Sequence, residues 1–167
     1  ETVRVLGKTH PVPRLTSWHG DAGCSYRYSG LDLQPEPWTP ELAEMRQLLA
    51  KLSGRDFNSV LVNLHRDGRD RMGWHSDNEP ELGPNPVIAS LSLGATRAIR
   101  FRARKDHASS LRVMLGHGSL LWMGHSCQSA WQHAIPPMAR CHEPRINLTF
   151  RTIDPGHARS RRQNDGH

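Results

Sequence analysis

Seven residues near the end of the chain, Arg145-Ile146-Asn147-Leu148-Thr149-Phe150-Arg151, alternate polar and apolar without a break. Only a strand separates such a pattern cleanly, because successive side chains along a strand point to opposite faces. Ile146, Leu148 and Phe150 fall on one face and belong against a core. Arg145, Asn147, Thr149 and Arg151 fall on the other. A wall with two guanidinium groups suits a pocket for an acid, since guanidinium grips carboxylate in a two-pronged way. Alternation alone also fits an edge strand whose arginines sit in solvent.

The rest of the chain fits a β-rich fold. One helix is marked: Thr39 is a suitable N-cap, Pro40 fits the first helical position, Leu42, Met45, Leu49 and Leu52 form an apolar stripe, and Gly54 ends it. Beyond Gly54 the period shortens to two, with strands expected over 57–64, 87–93, 97–103, 111–115, 119–123, 130–135 and 145–152. Seven strands with Gly, Pro and Asn turns after one helix indicate a sandwich or jelly roll, mainly β (α+β). Residues 1–38 are short extended pieces broken by glycines and prolines. Residues 154–167 are polar and Arg-rich and are expected to be a disordered basic tail.

At 167 residues the chain is expected to be one domain with a real core. Its 22 basic and 16 acidic residues leave a formal charge of +6, which favours an anionic partner such as nucleic acid. No apolar run is long enough to span a membrane, and the first residues do not resemble a signal peptide. The chain opens on Glu1 without a methionine, so it is expected to start inside a longer one. Cys24, Cys127 and Cys141, odd in number and without CxxC spacing, read as reduced thiols. With no heptad seam, a monomer is expected.

His75-Ser76-Asp77 is the second chemical signal. In an extended segment residues i and i+2 project to the same side, so His75 and Asp77 can share one ion. His133, in the expected strand 130–135, is the candidate third ligand. Two imidazoles and one carboxylate with open positions are the donor set of non-haem Fe(II) oxygenases. A zinc hydrolase is the competing reading, although it would also need a carboxylate base and the chain has no HExxH. A metal beside an anion pocket suggests iron and 2-oxoglutarate. Asn63 is an unusual polar residue in an apolar strand and needs a partner, which a cofactor oxygen would supply.

These residues lead to a resemblance. The segment 63–79, the run Ser90-Leu91-Ser92-Leu93-Gly94-Ala95 and Arg145-Ile146-Asn147-Leu148-Thr149-Phe150-Arg151 resemble the AlkB family of Fe(II)/2-oxoglutarate dioxygenases. The likeness runs from about Val3 to Ile153 and is closest to the branch that acts on duplex DNA, which Val5-Leu6-Gly7-Lys8, Gly20-Asp21-Ala22-Gly23 and Tyr28-Ser29-Gly30-Leu31 also resemble. It implies a double-stranded β-helix (jelly roll) core over 39–153, with a supporting helix and a nucleotide-recognition lid over 1–38. It implies repair of N-alkylated bases in DNA, chiefly 1-methyladenine and 3-methylcytosine, using Fe(II), O2 and 2-oxoglutarate and releasing formaldehyde, succinate and CO2. Methylation at these ring nitrogens leaves a cationic base that cannot pair normally, so extruding it costs less. The expected location is the cytoplasm of a bacterial-type cell or a eukaryotic nucleus.

Carried over by position, His75, Asp77 and His133 match iron ligands; Asn63, Arg145 and Arg151 match 2-oxoglutarate contacts, with Asn147 and Thr149 on the same face. The resemblance places Tyr28 against the flipped base opposite His75, with Tyr26 facing that pocket, and Arg102 on DNA. It also exposes departures. His65 stands where relatives place a tyrosine that contacts 2-oxoglutarate, so weaker or pH-dependent cosubstrate binding is expected. Asn78 replaces an acidic residue near the base, for which Glu79 could compensate, and Leu6 replaces a phenylalanine wedge. The loop 104–110 looks shorter than the family's DNA-clamping loop. The alternatives are an RNA or single-strand demethylase of the same chemistry, a non-catalytic binder of alkylated DNA, and a dioxygenase acting on protein or a small molecule.

Overall fold

The computed structural model describes residues 2–5, 8–11, 14–24, 26–28, 31–124 and 126–154, with side chains described over 14–24, 34–124 and 126–154. Leu6 and the tail from residue 155 lie outside the described residues, as do the side chains of Tyr26 and Tyr28.

Apolar faces that need covering set the architecture. The strands β3 (Leu15–Gly20), β6 (Ser59–His65), β8 (Ile88–Gly94), β11 (Leu120–Met123) and β13 (Arg145–Arg151) make a five-stranded antiparallel sheet in the order β11-β8-β13-β6-β3. Helix α1 (Pro40–Ser53) covers one side of it, burying Leu42 and Leu49 against Phe57, Val60, Ala89, Leu148 and Phe150. The Thr39 hydroxyl accepts from the Leu42 N–H, and Gly54 closes the helix at φ 65°, a left-handed conformation that glycine adopts without strain. Leu52, expected in the apolar stripe, is 66% exposed, so the stripe narrows to Leu42, Met45 and Leu49.

The second sheet is four-stranded, in the order β10-β9-β12-β7, from β7 (Met72–His75), β9 (Arg97–Ala103), β10 (Ser110–Leu115) and β12 (Trp131–Ile135). Its inner face packs Ile99, Phe101, Leu115 and Ile135 with Ile88 and Met123 of the first sheet. Two antiparallel sheets closed on one another around a cavity form the jelly roll. Two short hairpins, β1 (Thr2–Val5) with β2 (Lys8–Pro11) and β4 (Tyr26–Tyr28) with β5 (Leu31–Leu33), lie in the segment expected as the lid.

That segment also contains β3, which is the edge strand of the five-stranded sheet and pairs with β6 over Leu15↔Leu64 to Gly20↔Ser59. Its Trp18 is buried with Leu61 and Ile153. Residues 127–130, where a strand was expected to begin at 130, instead form the one-turn helix α2 (Cys127–Ala130). The strand β7 was not foreseen, because it has four residues, includes Gly73 and pairs with β12 through a register shift.

One buried cation ties the sheets to the loop ahead of β7. The Arg97 guanidinium, fully buried, donates to the carbonyls of Asp67, Asp70 and Pro136 at 2.9, 2.8 and 2.9 Å. Gly68, inside that loop, approaches the backbone of Met138 too closely to admit a Cβ.

Candidate metal centre and anion pocket

His75 ends β7 and His133 lies on β12, and the two face one another directly in the register, with ring centroids 4.2 Å apart. Asp77 sits just beyond the strand end, its backbone N–H donating to the Gln128 Oε1 at 2.9 Å. Its Oδ1 is 3.9 Å from His75 Nε2 and its Oδ2 is 3.8 Å from His133 Nε2. Those separations are too long for hydrogen bonds. They suit a shared ion, since two donors each about 2.1 Å from one metal lie at most about 4.2 Å apart. The candidate ligand atoms all fall within 4.8 Å of each other, and no other such group occurs among the described residues.

Protonation states favour metal binding. The His75 Nδ1 lies 2.8 Å from the Gly73 carbonyl, which can only accept, so Nδ1 is the donor there and Nε2 is the nitrogen turned to the site. Burial, with His75 and Arg151 adding to it against the pull of Asp77, pushes the His133 imidazole down to about 4, so it is neutral at physiological pH. Burial pushes the Asp77 carboxyl up, but Arg151, His75 and His133 together outweigh it and hold it below the usual carboxylate range. Arg151 is the nearest of these, donating from Nη2 to Asp77 Oδ1 at 2.8 Å.

The same cavity continues over the inner face of the paired strands β6 and β13. Arg145, 1% exposed, donates from Nη2 to Ser92 Oγ at 2.8 Å, while its Nε and Nη1 are buried without a hydrogen-bond partner. Burial and the neighbouring Arg97 lower it to about 10, which leaves it cationic. His65, directly opposite Arg145 in the register, is equally buried and neither ring nitrogen has a partner. Burial, then Arg145, Arg97 and Arg14, push this imidazole down to about 3. It is therefore neutral near physiological pH.

A buried cation with two unmet donors beside an unpaired neutral imidazole is costly on its own and favourable around an anion. The donor sets thus fit a divalent metal at one place and the carboxylate of a small acid at the other. Asn63 also lines the cavity, and its Oδ1 accepts from Arg14 Nε at 2.7 Å; the cofactor oxygen expected beside Asn63 would accept from the amide nitrogen, a separate group. Asn147 donates to Ser90 Oγ and the Leu91 carbonyl at 2.8 and 3.0 Å, and Thr149 donates to Asn147 Oδ1 at 3.3 Å.

The remaining candidates fall elsewhere. Asn78 is exposed and Glu79 half-buried just past Asp77, and Arg102 lies on the outer face of the four-stranded sheet. Sequence reasoning missed Arg14, Arg97 and Gln128. The serines Ser90 and Ser92 could have been flagged as Asn63 was, as polar residues at every second position of an apolar strand.

A closed antiparallel β-fold that presents two imidazoles and one carboxylate toward a buried guanidinium defines a non-haem metal oxygenase scaffold. The chain belongs to the 2OG-Fe(II) oxygenase superfamily, whose model matches residues 2–151. That family brings Fe(II) as metal and 2-oxoglutarate and O2 as cosubstrates. The chain is similar to the human DNA oxidative demethylase ALKBH2, 44% identical over 158 residues, covering 90% of this chain and 60% of that protein. It is also similar to the mouse alpha-ketoglutarate-dependent dioxygenase alkB homolog 3, 41% identical over 156 residues, covering 88% of this chain and 54% of that one. The chain thus spans roughly three fifths or less of these two relatives. The solved structure of OsALKBH1 shares the fold, with a TM-score of 0.60 at 19% identity, covering 82% of this chain and 77% of that one. Among the described residues, no helix is long and apolar enough to cross a membrane.

Proposed function

We propose that this chain removes methyl groups oxidatively from N-alkylated bases in DNA, such as 1-methyladenine and 3-methylcytosine, converting 2-oxoglutarate and O2 to succinate and CO2 and releasing formaldehyde. The observation that carries the reading is one cavity lined both by His75, Asp77 and His133 and by the buried, under-paired Arg145. The names of its relatives support the substrate.

In this reading His75, Asp77 and His133 hold Fe(II), which supplies the oxidising chemistry with O2. Arg145 takes a carboxylate of 2-oxoglutarate, with neutral His65 as a further hydrogen-bond donor and Asn63, Asn147 and Thr149 shaping the wall. Arg151 keeps the Asp77 carboxylate ionised and aimed. Ile99, Ile135 and Met123 line the same cavity with apolar surface and keep bulk water from it. Following the family pattern, Tyr28 and Tyr26 receive the extruded base, Leu6 fills the gap it leaves, Asn78 and Glu79 touch its edge, and the lid lies in the parts of residues 1–38 outside β3. The protein acts as a monomer in the cytoplasm or nucleus.

The test is formaldehyde release and base repair on an oligonucleotide carrying 1-methyladenine, with Fe(II) and 2-oxoglutarate, beside His133→Ala. Repair that depends on 2-oxoglutarate and disappears in the variant supports the reading. Consumption of 2-oxoglutarate without repair would assign the centre to a different substrate.

A further inference from the structure

The outer face of the four-stranded sheet carries a feature that the centre does not use. Ile99, Phe101 and His133 point inward, so Arg100, Arg102 and Gln132 point outward on the neighbouring strands. Arg102 donates from Nε to Gln132 Oε1 at 2.9 Å, and its guanidinium lies over the Trp74 ring, 4.3 Å from the centroid. Trp74 immediately precedes the candidate ligand His75. The result is a guanidinium plane fixed on an indole at the rim of the metal centre, both half-buried.

Beside this pair, Arg100 and Arg112 are direct cross-strand partners in the β9–β10 register, and both are exposed. Like charges directly opposite one another weaken a sheet. Neither arginine makes a hydrogen bond or ion pair among the described residues, and none of the four strands contains an Asp or Glu to relieve them. They line a surface depression with Pro136, Pro137 and Met138. Arg104, next along, donates to Ser76 Oγ at 2.9 Å, linking this face to the residue between His75 and Asp77.

We propose that this face is a track for an unpaired nucleic-acid strand, one base stacking on the Trp74–Arg102 pair and neighbouring phosphates lying against Arg100 and Arg112. Planar stacking on indole and guanidinium takes any base whose face is free, which a duplex does not offer. Paired arginines without carboxylates complement a phosphate chain. The inference rests on the demethylase reading and makes its substrate single-stranded, or a strand opened beside the lesion.

The test is anisotropy with a labelled, undamaged ten-nucleotide oligothymidylate and a hairpin duplex, using metal-loaded protein at several salt concentrations. Trp74→Ala should weaken single-strand binding about ten-fold and leave duplex binding unchanged, while Trp74→Phe retains most of it. Arg100→Gln and Arg112→Gln should each flatten the single-strand salt dependence by about 0.7 in log–log slope. Metal affinity measured on each variant guards against simple misfolding. Wild-type-like single-strand binding by Trp74→Ala, or displacement of the oligonucleotide by polyglutamate as readily as by nucleic acid, overturns the track. Repair of 1-methyladenine alongside that result would leave the demethylase reading standing. Trp74-dependent binding without any repair would keep the track and remove the demethylase.

Discussion

Arg151 and Asp77, 74 residues apart in sequence, are joined at 2.8 Å in the core, so the strand that supplies Arg145 to the anion pocket also anchors the carboxylate of the metal group. Both partners are almost fully buried, at 3% side-chain exposure each. Breaking such a pair by removing one member leaves an uncompensated charge. The metal group and the acid pocket are therefore not independent modules.

Arg151→Met should lower metal affinity about 10- to 100-fold, the usual scale for losing a group that orients a ligand. Anaerobic titration with Fe(II), or with Co(II) followed by its absorption, measures it. Unchanged affinity would mean that Asp77 is held by other contacts.

Arg145→Met should separate stability from function. It removes a buried cation with two unmet donors, so the metal-loaded protein without cosubstrate should melt no lower than wild type. Saturating 2-oxoglutarate, which stabilises by about 2.7 kcal/mol at a hundred times Kd, should raise the melting temperature of wild type and not of the variant. Calorimetric scans with and without the acid decide this.

His65 contributes a pH dependence to the metal-free protein. Its folded value is about 3 against an ordinary 6.5, so between these the unfolded chain binds a proton that the folded chain does not. The associated stability is complete above about pH 6.5 and is lost as pH falls toward 3, at up to ~1.4 kcal/mol per pH unit. Denaturant titrations across this range should show a shallower loss for His65→Phe than for wild type; equal slopes would contradict the burial-driven shift.

Gln128→Ala removes the acceptor for the Asp77 N–H, leaving that buried donor unmet at a cost of about 1–3 kcal/mol. The variant should be less stable and bind metal several-fold more weakly, with its affinity for 2-oxoglutarate in the metal-loaded form little changed. A denaturation curve and a metal titration check both parts.

What the sequence disclosed, and what it withheld, follows from locality. The 145–151 alternation is a property of neighbouring residues, and it appears in the fold as β13, with Leu148 and Phe150 under α1 and Arg145 and Arg151 in the cavity, although Ile146, expected in the core with them, is exposed near the strand's start. Asn63 stands out because a polar group interrupts an apolar strand. Arg97 has no such signal: its carbonyl partners lie 27 to 39 residues away, and only the folded chain brings them together. Gln128 acts through a one-turn helix too short to announce itself by periodicity. Trp74 and Arg102 belong to strands that are not themselves paired, with β12 between them.

The central claim is that one apparatus binds metal and acid together, and calorimetric titration of 2-oxoglutarate into anaerobic protein, with and without Fe(II), tests it most directly. The account predicts one molecule of acid per chain, bound tightly only when Fe(II) is present and lost in both His133→Ala and Arg145→Met. Equal binding without metal, or undiminished binding to Arg145→Met, would contradict it.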